Sequence, residues 1–126
     1  MADKSFRVDL VSADERLYSG EATILVAQTT DGEIGVLAGH APLLGQLREG
    51  GYIAVTEVGG DRRVAAVTGG FLSVATEGVT ILAESAEWAH HVDVAAETAA
   101  LEEAEPGSET HQLAKSRLSA AAALAR

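Results

Sequence analysis

The feature that most limits what this chain can fold into is a change of residue usage along its length. Twelve of its 13 glycines precede Glu87, interleaved with short runs rich in Val, Ile and Thr, whereas the last 40 residues, 87–126, are dominated by Ala, Leu and Glu. The first mixture favours strands joined by tight turns; the second favours helix. The shift lies between Ser85 and His91 and divides the chain into a β-rich part, 1–86, and a helical part, 87–126. With 126 residues in all, there is room for one core and a short appendage.

Within the first part, Phe6, Val8 and Leu10 alternate with Arg7 and Asp9, the period-two pattern of a strand with one buried face. Further strands are expected over Ala22–Thr30, Gly51–Val58, Arg63–Val67, Phe71–Thr76 and Val79–Glu84, with Gly59-Gly60-Asp61 and Glu77-Gly78 as turns. Many short strands with no helix between them describe an antiparallel sandwich or barrel. Aromatic residues make up only 4% of the chain, so the core must be built mainly from Val, Leu, Ile and Ala.

In the second part, Asp93 is placed to cap a helix starting at Val94, with Glu97 near its positive end, and Pro106-Gly107 stops it. A second helix follows from Ser108 or Glu109, with Leu113, Ala114, Leu118, Ala121 and Leu124 on one stripe. The expectation is an antiparallel helical hairpin. Its acids come first, from Glu87 to Glu109, and its bases last, at Lys115, Arg117 and Arg126, so the folded helices attract each other weakly. An alanine-rich stripe packs less firmly than a leucine seam, which suits a hairpin able to detach or extend, the plain alternative being a fixed alanine-rich cap on the sandwich. Arg117 projects toward the apolar stripe, where it either snorkels or pairs with the acidic first helix.

Several function classes drop out. The absence of cysteine removes disulfides, zinc-thiolate sites and thiol catalysis, and a net charge of −10 opposes binding to nucleic acid. No apolar run approaches the roughly 18–20 residues of a membrane span, and Met1-Ala2-Asp3-Lys4 lacks the apolar core of a signal peptide. A cytosolic chain, with any membrane association borrowed from a partner, is therefore expected. Neither Gly-Lys-Ser/Thr nor Gly-x-Gly-x-x-Gly occurs, and Ser73 and Ser85 lack the setting of a nucleophile elbow. Adjacent His90 and His91 diverge on either a helix or a strand, and His40 and His111 stand apart, so no metal-ligand spacing exists. Nothing in the pattern gives the chain an active site of its own.

What stands out is Gly32-Glu33-Ile34-Gly35-Val36-Leu37-Ala38-Gly39-His40-Ala41-Pro42-Leu43-Leu44, which reads as a tight irregular loop between strands. Gly69-Gly70 before Phe71 reads as a bend, or as a close approach of two backbones. The Gly32–Leu44 run resembles the Gly-Glu-(Ile/Leu)-Gly to Pro-Gly-His-Ala-Pro-Leu-Leu signature of the epsilon subunit family of bacterial F-type ATP synthases. Gly69-Gly70-Phe71-Leu72-Ser73-Val74 and Val79-Thr80-Ile81-Leu82-Ala83-Glu84-Ser85-Ala86 are similar to two further runs of that family, in the same order. The likeness is close over Phe6–Ala86 and architectural beyond it.

The resemblance implies a sandwich of about ten strands followed by two helices, and a non-catalytic rotor subunit of the central stalk. It implies partners in the gamma subunit and the c-subunit ring, a peripheral position on the cytoplasmic face of the plasma membrane, and a hairpin that restrains ATP hydrolysis. Glu33 corresponds to the acid facing the ring, and His40 and Pro42 to the loop near gamma and the ring. For Glu33 a solvated turn carboxylate, and for His40 a hydrogen bond holding the corner, are the plain alternatives. Gly32, Gly35, Gly39, Gly69 and Gly70 would shape the loops, and Lys115, Arg117 and Arg126 are candidate contacts to the alpha and beta subunits. The family's regulatory ATP motif, Ile/Leu-Asp-x-x-Arg-Ala, is here Val92-Asp93-Val94-Ala95-Ala96-Glu97. Asp93 is kept, but Ala96 replaces the guanidinium that would pair with phosphate, which implies weak or absent ATP binding and no cofactor. The alternative from another class is a free-standing small-molecule-binding sandwich with a helical lid, distinguished by whether gamma copurifies.

Overall fold

The computed structural model describes residues 4–125, and among these it holds nine strands, a short 3-10 turn and two helices. The strands are β1 Phe6–Ser12, β2 Arg16–Thr29, β3 Gly32–Leu37, β4 Leu43–Gln46, β5 Gly51–Glu57, β6 Arg62–Thr68, β7 Phe71–Ala75, β8 Gly78–Ala83 and β9 Ser85–Trp88. Helices α1, Val94–Glu103, and α2, Glu109–Ala125, follow the 3-10 turn Ala89–His91. Hydrogen bonding runs in the order β4-β7-β8-β1-β2-β5-β6-β9, with β3 on β2.

The 14-residue β2 is the hub of this sheet, pairing with three other strands. Its first half pairs with β1, and its second half with β3 on the edge that β1 has left and with β5 on the other. The β2/β5 register shifts between Ala22 and Ile24, where one half passes into the other, and such an irregularity lets a strand bend between layers. Inward-facing Val8, Leu10, Leu25, Ile53, Val67, Leu72 and Ile81 meet in one core, and their alternation along each strand fixes the register. β1 and β8 run parallel, the one departure from the antiparallel ladders expected.

The Gly32–Leu44 run is not a continuous loop. Most of it is β3, and only residues 38–42 are irregular before β4 begins. The glycines hid the strand: Gly35 sits in it with nothing within 4 Å of where a Cβ would project, while Ile34 and Val36 supply the inward face. β9 crosses the expected 86/87 boundary and carries the sheet to Trp88.

β5 and β6 are buried on both faces. Ile53, Val55, Ala65 and Val67 enter the sandwich core, whereas Tyr52, Ala54, Val64 and Ala66 lie under Ala89, Ala120 and Ala123. The small side chains of Ala54, Val64 and Ala66, facing alanines, let a helix backbone come close to the sheet. On α2 the residues fully covered are Ala114, Ser116, Ala120 and Ala123. The face is rotated from the expected Leu113, Ala114, Leu118, Ala121, Leu124 stripe, and Leu124 is left 37% exposed. Ser116 explains the rotation: its buried hydroxyl lies 2.5 Å from the Gly51 carbonyl and 3.1 Å from that of Val67, and donates into the sheet.

Candidate functional site

The sandwich presents two ends, one at each end of β3. At the first, Thr29 Oγ1 donates to the Gly32 carbonyl at 2.8 Å and accepts from the Asp31 amide at 3.2 Å. Gly32 completes this β2–β3 turn at φ 122°, where a side chain would be strained. Glu33 follows directly, exposed and opposite Gln28. The Tyr52 hydroxyl donates to its Oε1 at 3.4 Å, which orients the carboxylate without burying it.

At the other end lies the 38–42 loop. The His40 amide closes a turn on the Leu37 carbonyl at 3.1 Å, with Gly39 at φ 84°. His40 Nδ1 lies 2.7 Å from the Ala41 carbonyl, so in the tautomer that donates there the ring braces the corner and leaves Nε2 to solvent. His40 and Pro42 are exposed on the rim of a groove floored by Phe6, Val36 and Val79. The structure brings His40 and Pro42 together but not Glu33 with them. Glu33 and Leu37 lie four positions apart on β3, about 13 Å at strand rise.

Gly69 and Gly70 form the β6–β7 turn at φ 68° and 97°. A Cβ on Gly70 would overlap the Leu82 carbonyl oxygen, so two backbones meet there with no space between them.

In the helical part, Asp93 caps α1, with Oδ1 accepting from the Ala96 amide at 3.1 Å. Ala96 itself is exposed and presents no polar group. Lys115 is exposed on α2, its stem lying against Gly50. Arg117 pairs with acids rather than snorkelling: Nε lies 2.8 Å from Glu87 on β9, and Nη1 lies 3.0 Å from Glu97 on α1. It thus joins the sheet and both helices. Arg126 lies outside the described residues.

Sequence reasoning missed a second cluster at the junction of sheet and hairpin. The Arg63 guanidinium stands 4.4 Å from the Trp88 ring centre and 5.4 Å from that of Tyr18, within range of cation–π attraction to both. Tyr18 meets Trp88 edge-on at 5.8 Å, and its hydroxyl donates to Glu57 at 2.5 Å. Burial, followed by that hydrogen bond, pushes the phenol up to about 12. Near α2's end, Arg62 Nη1 donates to the Ala123 carbonyl at 2.7 Å, satisfying an end-of-helix acceptor. No local pattern marked these contacts, because Tyr18, Glu57, Arg63 and Trp88 are far apart in sequence.

Residues 5–89 match the family model described as the ATP synthase, Delta/Epsilon chain, beta-sandwich domain. An ATP synthase epsilon chain of Rhodococcus opacus is 55% identical over 113 residues, spanning 90% of this chain and 93% of that relative. The chain belongs to the ATP synthase epsilon chain family. The epsilon chain of Nocardia farcinica is 50% identical over 117 residues, covering 93% of this chain and 90% of its own. Among solved structures, a chain of the Euglena gracilis mitochondrial ATP synthase OSCP/F1/c-ring assembly superposes with a TM-score of 0.76 at 27% identity. That alignment covers 95% of this chain and 81% of the other. A chain of the Tetrahymena thermophila mitochondrial ATP synthase central stalk and c-ring shares the fold, with a TM-score of 0.60 at 14% identity and full coverage of both. Epsilon chains are stalk subunits, not the catalytic ones, and belong to a membrane-associated complex. Among the described residues no helix is long and apolar enough to cross a membrane.

Proposed function

We infer that this chain works in the central stalk, turning with the gamma subunit and the c-subunit ring and so coupling proton flow to ATP synthesis. The observation that carries this is the extent of the likeness: 90% of the chain aligns with an epsilon chain, sandwich and part of the hairpin together. In this reading the sandwich is the coupling unit and the helical part from Glu87 onward the regulatory one, on the cytoplasmic face of the membrane. Glu33 meets polar loops of the ring, and the His40–Pro42 corner meets a neighbour in the stalk. Their separation along β3 supports two distinct contacts rather than one continuous site. A tagged copy expressed in its own cells should copurify with gamma in equal amount; recovery without gamma would overturn the assignment.

The hairpin restrains ATP hydrolysis when it leaves the sheet and offers Lys115 and Arg117 to acidic surfaces of the alpha and beta subunits. While it is docked, Arg117 is occupied by Glu87 and Glu97. Truncation after His91 keeps β9 and the 3-10 turn; it should preserve assembly and raise hydrolysis by the complex. Unchanged hydrolysis would remove the restraint and leave the rotor role intact. Regulatory ATP is not part of this proposal, because Asp93 is engaged as a helix cap and Ala96 supplies no phosphate partner. Saturable heat in a millimolar titration with ATP would reverse that point.

A further inference from the structure

The two helices of the hairpin are held in different ways. α2, with 17 residues, buries Ala114, Ser116, Ala120 and Ala123 against β5 and β6. It is pinned there by the Ser116 hydroxyl in the sheet and by Arg62 on the Ala123 carbonyl. α1, with ten residues, buries none. It packs chiefly on α2, through the half-buried Glu97, Ala100 and Leu101. A helix of that length does not hold itself in water, where about 12–15 residues are needed even in favourable sequences. Among the described residues, the side-chain bonds that join α1 to its surroundings are the Asp93 cap at its start and the pair between Glu97 and Arg117.

Both ends of α1 are anchored independently of it. Upstream, Ala89 is buried beneath α2, and Trp88 is stacked by Arg63. Downstream, the Pro106-Gly107 turn delivers the chain straight into docked α2, with Gly107 at φ 81°. Residues 93–108 can therefore leave as a tethered loop while the rest stays in place, and the entropy of such a closed loop grows slowly with its length. That segment carries Asp93, Glu97, Glu102, Glu103 and Glu105 and no base.

We propose that the hairpin opens in two stages. α1 unfolds first, into an acidic loop tethered at both ends, while α2 stays seated on β5 and β6; Arg117, shared between Glu97 on α1 and Glu87 on β9, sets how readily this happens. Losing Glu97 leaves the guanidinium with Glu87 alone and half free for another carboxylate. The first stage thus exposes a cation without moving the helix that bears it. Its regulatory meaning rests on the restraint of hydrolysis proposed above; the order of opening does not.

Hydrogen exchange on the full chain, resolved to single amides, tests the order. Protection of the hydrogen-bonded amides from Thr98 to Glu103 should fall at least about tenfold below that of Ala114 to Ala123. Glu97→Gln, which keeps the Arg117–Glu87 pair between α2 and β9, should lower α1 protection by a further two- to fivefold, about what one partly exposed ion pair sets, and leave Ala120 and Ala123 unchanged. Ser116→Val, which forces bulk into the seam, should bring α2 down to the level of α1 while the β1 and β8 amides hold. Equal protection in the two helices, an equal response of both to Glu97→Gln, or a seated α2 in Ser116→Val would each overturn the two-stage order. If the order holds but truncation after His91 leaves hydrolysis unchanged, only the restraint fails.

Discussion

The sandwich and the hairpin solve the same packing problem with different margins. In the sandwich, Val, Leu and Ile from all the long strands meet in one core, and turn glycines bring backbones into contact. In the hairpin, an alanine face and one serine meet an equally small-sided sheet, so the helix lies close but removes little apolar area from water per residue. The first arrangement is held by large apolar side chains throughout; the second rests on small side chains and a few polar pins. The match to the family model ends at residue 89, just after β9.

The contrast breaks most visibly at Gly70. Gly70→Ala places a methyl group on the Leu82 carbonyl at a φ of 97°, so either the β6–β7 turn or the β7/β8 ladder must move. A loss of about 3 kcal/mol or more of global stability is expected, seen as a lower urea midpoint for the sandwich amides. A variant as stable as the parent would show that the sandwich is less rigid than its packing implies.

An overpacked seam tests the other side. Ala120→Leu inserts three carbons where no space exists, with an expected cost of about 2 kcal/mol. Because α2 has the alternative of leaving, that cost should appear as undocking: faster proteolysis within 109–125 and an unchanged midpoint for the sandwich. A lowered sandwich midpoint with α2 still protected would mean that the two regions unfold as one.

At the junction, Tyr18→Phe removes a hydroxyl bonded to Glu57 and should cost about 1.5 kcal/mol. The parent also carries a pH signature. Tyr18 titrates near 12 in the fold against 10.0 in the open chain, so its contribution is complete below pH 10 and is lost as pH rises from there through 12. The variant should lose that part of the alkaline decline. An identical alkaline limb in both proteins would show that Glu57 does not hold the phenol.

How much of this was legible in the sequence depended on how far each signal reaches. β1, β5, β6, β7 and β8 were visible because a period-two pattern needs only neighbouring residues, and Asp93 and Pro106-Gly107 marked the ends of α1 by local chemistry. β3 was obscured by Gly32 and Gly35, and the first half of β2 by the polar run Ser19-Gly20-Glu21 around the single inward Tyr18. The buried face of α2 was misjudged because hydropathy ranks Ser116 as an outward residue, whereas two sheet carbonyls await its hydroxyl. The Glu33 and His40–Pro42 positions were legible as a motif. Their placement at opposite ends of a strand was not, since that depends on β3 pairing with β2. The Arg63 cluster depends on three strands at once.

The smallest effect is expected at Asp9, on the sandwich face away from the helices. The Ser19 hydroxyl and then the Arg7 guanidinium, 3.0 Å away, hold its carboxyl below the usual carboxylate range. With the folded value depressed, the stabilisation is present above the open-chain value of 3.8 and is lost as pH falls through the folded one. Arg7 is 55% exposed, and solvent screens such a pair to below about 1 kcal/mol. Asp9→Asn should therefore leave stability at pH 7 almost unchanged and flatten only the acid limb below about pH 4, in parallel for sandwich and hairpin amides. A loss confined to α2 would mean that charge on one face of the sandwich reaches the helices on the other, and the two regions would no longer be separable.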